Sequence, residues 1–321
     1  TIGSTARALA RSLDDVTTDR RGLVFGVWAY VLWGLLPLYW PHLEPAGAPE
    51  VLAHRVVWSV LFGALLVWLL SRRGGTALTG LRALRGDRRR LQLLTLAGVL
   101  IGANWLAYIW AVNHDHVVET ALGYYINPLM TIVVAVLVLG ERLRPPQWAA
   151  IGIAATGVVV LTIGYGRLPW IALFLAVTVA AYSLIKKTVG VGALEGLTVE
   201  TAVLFPPALI FLAVLTAGGG AEFGRHGADH ALLMACAGGA TLAPLLLFAG
   251  AARRVPLTTL GMLQYLAPTL QFFIGVVIND EPLPPERLAG FMLVWAALVV
   301  LTVDGLRNQR RALRIATQVP V

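Results

Sequence analysis

Long apolar runs alternate with short polar segments along this chain of 321 residues. Ten of the runs contain about 20 mostly apolar residues, the length that a helix needs to cross the hydrocarbon core of a bilayer. They cover residues 22–40, 51–70, 91–112, 117–140, 147–165, 168–185, 198–217, 231–250, 256–279 and 287–305. This pattern predicts an all-α integral membrane protein with ten transmembrane helices.

The fourth run and the turn after it occur twice in the chain. A shift of 140 residues aligns residues of the same type, in the pairs Tyr125 and Tyr265, Pro128 and Pro268, and Glu141 and Glu281. Because Tyr, Pro and Glu are scarce in an apolar background, these matches indicate a duplicated five-helix unit. An odd number of spans in each unit makes the second unit enter the membrane from the opposite side, so we predict two inverted five-helix repeats.

Composition and charge define the predicted boundaries and orientation. The chain is 58% hydrophobic and 13% charged, with a mean hydropathy of +0.75, which is too apolar for a soluble protein of this size. Of its 25 Lys and Arg residues, 21 fall in segments that share one side of the membrane with the N-terminus, which predicts that both termini are cytoplasmic. The predicted units are a polar N-terminal segment at 1–21, repeats at 22–165 and 166–306, and a basic tail at 307–321.

The formal net charge of +8 raises the question of a nucleic-acid partner. The arginine-rich segment at 72–90 lies between two predicted spans, where anionic lipid headgroups account for it, so we predict the lipid bilayer and no nucleic acid as its partner. The one cysteine, Cys236, excludes an intramolecular disulfide, and the polar cluster at 113–116 is too crowded for a metal site. The sequence therefore predicts no metal and no cofactor.

Two of the predicted spans combine a polar face with a central proline. The fourth has polar residues spaced by 4, 3 and 4, which are Thr120, Tyr124, Asn127 and Thr131. The ninth has a related face spaced by 3, 4 and 3, which is formed by Gly261, Gln264, Pro268 and Gln271. Each spacing places its residues on one side of a helix, and Pro128 and Pro268 are expected to kink the two helices because each proline removes a backbone hydrogen bond.

A polar face inside a bilayer must contact protein or water. In transporters built from inverted repeats, substrate sites form near the midplane, where interrupted helices meet. We therefore predict a substrate cavity lined by Asn104, Tyr108, Tyr124, Asn127, Gln264, Tyr265 and Gln271. The alternative is that these side chains only join neighbouring helices to one another.

Ionisable residues inside the spans are the candidates for gating or coupling, namely His54, Arg55, Glu119 and Glu200. We predict that Arg55 pairs with Glu119 near the outer surface; the alternative is that Arg55 extends toward the outer headgroups. We expect Glu200, near the inner surface, to load and release protons, because burial without a partner favours the neutral form of a carboxyl group. The alternative is that Glu200 binds Lys186 or Lys187, or caps its own helix.

Several motifs resemble those of a known transporter family. They are AYVLWGLLPLYW, NWLAYIWAVN, ETALGYYINPL, GERLRPPQW, LTVET and LQYLAPTLQF. Together they resemble the EamA family of drug/metabolite transporters, and more closely its RarD subgroup, called chloramphenicol-sensitive permeases, over about residues 21–306. The resemblance implies a secondary carrier of ten helices in the bacterial inner membrane, with a central cavity that both halves form.

These observations favour a secondary transporter of a small metabolite or drug-like molecule, with proton coupling or as an uncoupled facilitator. A non-transporting membrane receptor or scaffold is the alternative, because it would contain the same helices. We predict that the protein is not an enzyme, since the spans contain no converging set of nucleophilic, acid or base residues. The chain has no GxxxxGK[ST] loop for ATP, so transport would be driven by a gradient or a partner.

Overall fold

The computed structural model describes residues 20–72, 87–140, 142–189 and 193–318, and these residues form helices joined by turns. The helices are α1 Arg20–Tyr39, α2 Ala48–Arg72, α3 Arg88–Val112, α4 Val117–Leu139, α5 Pro145–Tyr165, α6 Trp170–Val189, α7 Ala193–Ala217, α8 Gly227–Ala252, α9a Leu257–Leu263, α9b Leu266–Phe273 and α10 Pro285–Gln318. Each predicted span therefore coincides with a helix, except that the ninth is divided. Helix α10 also continues through most of the predicted tail.

Most of these helices have the dimensions of membrane spans. Nine helical segments within the described residues are long and apolar enough to cross a membrane. Helix α2, the one long helix outside that set, has 25 residues and carries His54 and Arg55 in its first half. Large apolar side chains such as Leu137 and Ile163 are exposed on the outside of the bundle, as expected where lipid replaces water. The chain is a multi-pass membrane protein.

The ninth span is interrupted between α9a and α9b, close to its proline. Pro268 has no N–H to donate to the carbonyl of Gln264, four residues earlier, so the regular hydrogen-bond ladder cannot continue there. After α9b the chain widens into a π-helical turn, Ile274–Ile278. Helix α4, in contrast, continues as one helix through Pro128. The two related prolines are therefore accommodated differently in the two halves.

The helices pack in pairs that interleave the two halves of the chain. Helix α5 packs along α10, α4 along α6 and α9b, and α1 along α8 and α9b. Helix α2 contacts α7 and α8, and α3 contacts α6 and α7. The two largest apolar clusters of the described residues lie around Trp40 and Met234 and around Leu122 and Phe291. Because each cluster contains residues from both halves, the halves fold together as one bundle.

Helices α2 and α8 approach closely because a glycine lies at their crossing. A Cβ atom at Gly238 would lie 2.5 Å from the carbonyl carbon of Trp58 and 2.6 Å from the backbone nitrogen of Ser59. The Ser59 hydroxyl donates to the Gly238 carbonyl over 3.4 Å. This contact brings Thr241, one turn further along α8, beside Arg55 of α2.

Candidate substrate site

The centre of the candidate site is the side chain of Arg55, which lies roughly 10 Å along α2 from its first residue. Its Nε donates to Thr241 Oγ1 over 2.6 Å. The guanidinium carbon lies 4.1 Å from the ring centre of Trp105 on α3 and 5.3 Å from that of Trp40, in the short turn after α1. The side chain is only 4% exposed, so Arg55 points into the bundle and does not extend to the headgroups.

The predicted pair between Arg55 and Glu119 is wrong. Glu119, on the first turn of α4, instead binds Arg167, whose Nη2 lies 2.7 Å from Oε2. The backbone N–H of Ile171 also donates to Glu119 over 3.1 Å. The physical reason is helix packing, because α4 lies along α6 and its preceding turn, and this places Glu119 beside Arg167. Within the described residues, no carboxylate forms an ion pair with Arg55.

Tyr108 and Tyr124 lie near this arginine, and Gln271, from the other half of the chain, lies beside Tyr108. The rings of Tyr108 on α3 and Tyr124 on α4 meet edge to face at 5.8 Å. On α9b, Gln271 donates its Nε2 to the Trp33 carbonyl over 3.3 Å. Tyr108 and Gln271 interact with each other, but neither the Tyr108 hydroxyl nor the Gln271 Oε1, both buried, makes a hydrogen bond of normal length and angle. Buried polar atoms are normally satisfied, so these two atoms indicate a place for water or a ligand.

The polar face of α4 extends away from this arginine. Asn127 Oδ1 is also buried without a hydrogen-bond partner. The hydroxyl of Thr120 donates to the Val117 carbonyl of its own helix over 2.7 Å. Thr131 lies at the C-terminal end of the face and lines a cavity near the C-terminal end of α4. The face therefore connects the surroundings of Arg55 with that cavity.

Three residues of the predicted cavity have other neighbours. The Asn104 amide nitrogen donates to the Leu175 carbonyl at 3.2 Å and to Thr178 Oγ1 at 2.8 Å, so it joins α3 to α6. Tyr265 packs against the apolar cluster shared with α10. The Gln264 amide donates to the Gly261 carbonyl of α9a over 2.9 Å. The structure thus brings Tyr108, Tyr124 and Gln271 together near Arg55. Asn104, Gln264 and Tyr265 have separate surroundings.

Contacts at the predicted outer side tie the first turns of α2 to the loop before α8. The Glu50 carboxylate accepts hydrogen bonds from the backbone N–H groups of Glu222 and Phe223, at 2.8 and 3.1 Å. The His54 ring stacks on the Phe223 ring with centroids 4.5 Å apart, and its Nδ1 has no partner. His54 therefore acts as a packing residue beside Arg55 in this conformation.

Glu281, in the loop between the ninth and tenth spans, makes a contact that the sequence did not predict. Its carboxylate accepts the backbone N–H groups of Val117 and Val118, at 2.6 and 3.0 Å, and so caps α4 from the other half of the chain. Gly275 makes this approach possible, because a Cβ there would lie 2.7 Å from a Val118 methyl group. The repeated Glu was a signal for this role, although Glu141 lies outside the described residues.

The protonation of Glu281 should make this cap sensitive to pH. Burial is the largest cause that raises the pKa of Glu281 from 4.5 to about 7, and the negative charge of Asp115 acts in the same direction. The hydrogen bonds from the N–H groups of Val118 and Val117 and the positive charge of Arg287 lower this pKa. Native Glu281 therefore binds more protons than unfolded Glu281 between about pH 4.5 and 7. The stabilisation that Glu281 gives the folded protein is complete below about pH 4.5 and declines as the pH rises to about 7.

We therefore expect the melting temperature of the parent, relative to that of Glu281→Gln, to fall as the pH rises from about 5 to about 8. Thermal unfolding of both proteins in detergent across this range measures the difference. Glu286→Gln, which removes an exposed carboxylate from the next helix, controls for the general effect of losing a charge. A parent advantage that is constant or grows with pH would contradict the assignment.

The predicted titrating residue, Glu200, has charged and polar partners. Lys186 Nζ lies 2.7 Å from its Oε1, and the Tyr182 hydroxyl donates to its Oε2 over 3.1 Å. Its side chain is 1% exposed. The assumption that Glu200 is unpaired is wrong, and the alternative, that it binds Lys186, is confirmed. The pair joins α6 to α7 near the predicted inner surface.

A cavity of about 390 Å³ opens near the C-terminal end of α4, on the predicted inner side. Its lining includes Thr131, Arg142, Arg144, Lys187 and Asn308. Arg144 also binds Asp304 of α10, with 2.7 Å between Nη2 and Oδ2. Among the described residues, no group of three or more His, Cys, Asp or Glu side chains is arranged to hold a metal ion.

Sequence reasoning missed several residues of this site. Thr241 and Trp105 contact Arg55 directly, yet neither was a candidate. A signal existed for each: Thr241 is an isolated polar residue in an apolar span, and Trp105 belongs to the motif that contains Asn104 and Tyr108. Arg167, the partner of Glu119, was not a candidate either.

Comparison with known proteins supports the resemblance seen in the motifs. The EamA-like transporter family matches residues 20–163. "Protein RarD" of Streptomyces exfoliatus is 54% identical over 92% of this chain and 92% of that protein, and "Uncharacterized transporter YojE" of Bacillus subtilis (strain 168) is 39% identical over 91% and 96%. A solved structure titled "Crystal structure of protein" aligns with a TM-score of 0.54 over 89% of this chain and 98% of that one; at 20% identity it shows the fold alone.

Proposed function

This chain belongs to the EamA-like transporter family, and we propose that it is a secondary transporter that carries a small metabolite or drug-like molecule across the bacterial inner membrane. Relatives named as transporters support a carrier over an enzyme. The observation that carries the proposal is the buried polar group formed by Arg55, Tyr108, Tyr124 and Gln271, which draws on both halves of the chain. Such a group is costly in a membrane unless it serves a pathway or a ligand.

We also propose that the two halves are inverted repeats with both termini in the cytoplasm. The helix contacts support this arrangement, since most of them recur when each helix is replaced by the one five positions away. The contacts of α3 with α6 and α7 correspond to those of α8 with α1 and α2, and α4 with α6 corresponds to α9b with α1. Helices α5 and α10, α2 and α7, and α4 and α9b are counterparts that contact each other. The charge distribution supports the orientation.

In this proposal, alternating access exposes the group around Arg55 first to one side of the membrane and then to the other. The polar face of α4 supplies a path from Tyr124 toward the inner cavity lined by Thr131. The Glu50 and Glu281 contacts join the halves at the proposed outer side. These contacts would have to break for the site to open outward, because each connects a helix start in one half to a segment of the other.

Transport of a broad metabolite panel into proteoliposomes tests the proposal. We expect the parent to move at least one compound faster than protein-free liposomes do, and Gln271→Ala to lower that flux at least about tenfold, since Gln271 holds α9b to α1 beside the site. Gln92→Ala, an exposed glutamine of α3, is the matched control and should keep the parent rate. Parent flux equal to that of empty liposomes would favour the receptor or scaffold alternative.

Proton coupling is the finer part of this proposal, and the same vesicles test it with an imposed pH gradient. We expect the gradient to accelerate parent flux. Glu200→Gln, which removes the buried carboxylate that binds Lys186 and Tyr182, tests whether this pair takes part in coupling, with the exposed Glu286→Gln as the control. Gradient-insensitive parent flux would indicate an uncoupled facilitator.

A further inference from the structure

Arg55 is a buried cation whose hydrogen-bonding capacity is largely unused. A guanidinium group has five N–H donors. Among the described residues, Thr241 accepts from Nε, and no side chain or backbone carbonyl accepts from either Nη atom. The residue is 4% exposed, so nearly all of this donor group is removed from water. Tyr108 and Tyr124 lie near the guanidinium group.

The charge of Arg55 is also uncompensated. Carboxylates on the same side of the bundle have other partners: Glu50 accepts backbone N–H groups of the loop before α8, Glu119 binds Arg167, and Glu281 caps α4. The Trp105 ring, 4.1 Å from the guanidinium carbon, attracts the cation but adds no negative charge. A lone cation in a low-dielectric interior favours an anion at short range and repels another cation.

The surroundings of Arg55 indicate what kind of anion would fit. The Tyr108 hydroxyl interacts with the Gln271 side chain but makes no hydrogen bond of normal length and angle, so it can donate to an oxyanion. Rings of Trp40, Trp105, Tyr108 and Tyr124 supply flat apolar surface around the charge. A planar guanidinium fork binds a carboxylate through two parallel hydrogen bonds, and aromatic faces accept an apolar or aromatic body.

We propose that the substrate of this carrier is a small organic anion, whose carboxylate binds the free Nη groups of Arg55 and whose apolar body packs against the surrounding aromatic rings. This inference rests on the proposed transport function and narrows it to one substrate class. Arg55 then acts as the binding residue, and Thr241 positions it.

Binding of matched ligand pairs to the full chain in detergent tests the inference without transport. The probes are benzoate with benzamide and phenylacetate with phenylacetamide, at up to millimolar concentrations, because each pair differs mainly in charge. Tryptophan fluorescence is the readout, since Trp40 and Trp105 flank the guanidinium group. We expect at least one acid to bind at least about tenfold more tightly than its amide.

Variants assign that preference to Arg55. Arg55→Gln should abolish the advantage of the acid, and Arg55→Lys should retain only part of it, because lysine keeps the charge but loses the planar fork. Arg225→Gln, which removes an exposed arginine from the loop before α8, should bind as the parent does. If the Arg55 variants fail to fold, the ligand pairs on the parent protein still decide the question.

Equal binding of acids and amides by the parent, no saturable response to either acid, or an acid preference that survives in Arg55→Gln would each overturn the inference. The outcome is separable from that of the transport proposal. Carboxylate binding that depends on Arg55, with no flux in proteoliposomes, would overturn only the transport function. Flux of neutral compounds that is unchanged in Arg55→Gln would overturn only the anion assignment.

Discussion

Alanine at position 238 is expected to destabilise the protein by about 3 kcal/mol, the upper end of the usual range for overpacked interiors. The added Cβ would lie 2.5 to 2.7 Å from backbone and Cβ atoms of Trp58 and Ser59, and backbone atoms cannot rotate away as a side-chain end can. Helices α2 and α8 would have to separate. Thermal or denaturant unfolding of Gly238→Ala in detergent measures the loss.

The neighbouring glycine is the matched control for this prediction. A Cβ at Gly239 would meet nothing within 4 Å, so Gly239→Ala should unfold within about 1 kcal/mol of the parent, with any change favouring the helix. Separation of the helices should also move Thr241 away from Arg55, so Gly238→Ala should weaken carboxylate binding even below its unfolding temperature. Equal stability of the two variants would show that the close α2 and α8 crossing is incorrect.

Loss of Arg167 should be the second large effect, about 3 kcal/mol of unfolding free energy. Arg167→Gln leaves Glu119, which is 1% exposed, as a buried carboxylate without its cation. Glu119→Gln should lower the free energy of unfolding by less than Arg167→Gln does, because Arg167 is 37% exposed and water can solvate its guanidinium group. The double substitution should recover part of the loss seen in Arg167→Gln.

A double-mutant cycle on unfolding free energies measures the coupling between these two residues. Arg225→Gln is the control for removing an exposed outer arginine and should change stability by less than about 0.5 kcal/mol. A cycle energy near zero, or a larger loss for Glu119→Gln than for Arg167→Gln, would contradict the pair. Coupling of Glu119 to Arg55 instead would restore the partner expected from sequence.

The sequence by itself determined the class of fold and the positions of the helices. In a bilayer, an apolar run of this length forms a helix, because each backbone N–H and C=O group must find its hydrogen-bond partner within the segment. The ten predicted spans and the observed helices therefore nearly coincide. The family was also readable, since motifs such as that around Tyr124 and Asn127 are scarce in apolar sequence. The polar faces of α4 and α9b followed from helical spacing alone.

Only the tertiary structure decided which polar groups meet. Arg55 meets Thr241, 186 residues away, and Glu281 meets Val117, 164 residues away. Helical periodicity indicates which side of a helix is polar, but it does not indicate which neighbouring helix that side contacts. The lipid-facing surfaces of all the spans are apolar, so the sequence does not distinguish one possible neighbour from another. The partner of a buried charge depends on close helix contacts such as that at Gly238. Because glycine has no side chain, the backbones of α2 and α8 come into contact there, and this contact decides which residues lie within hydrogen-bond distance.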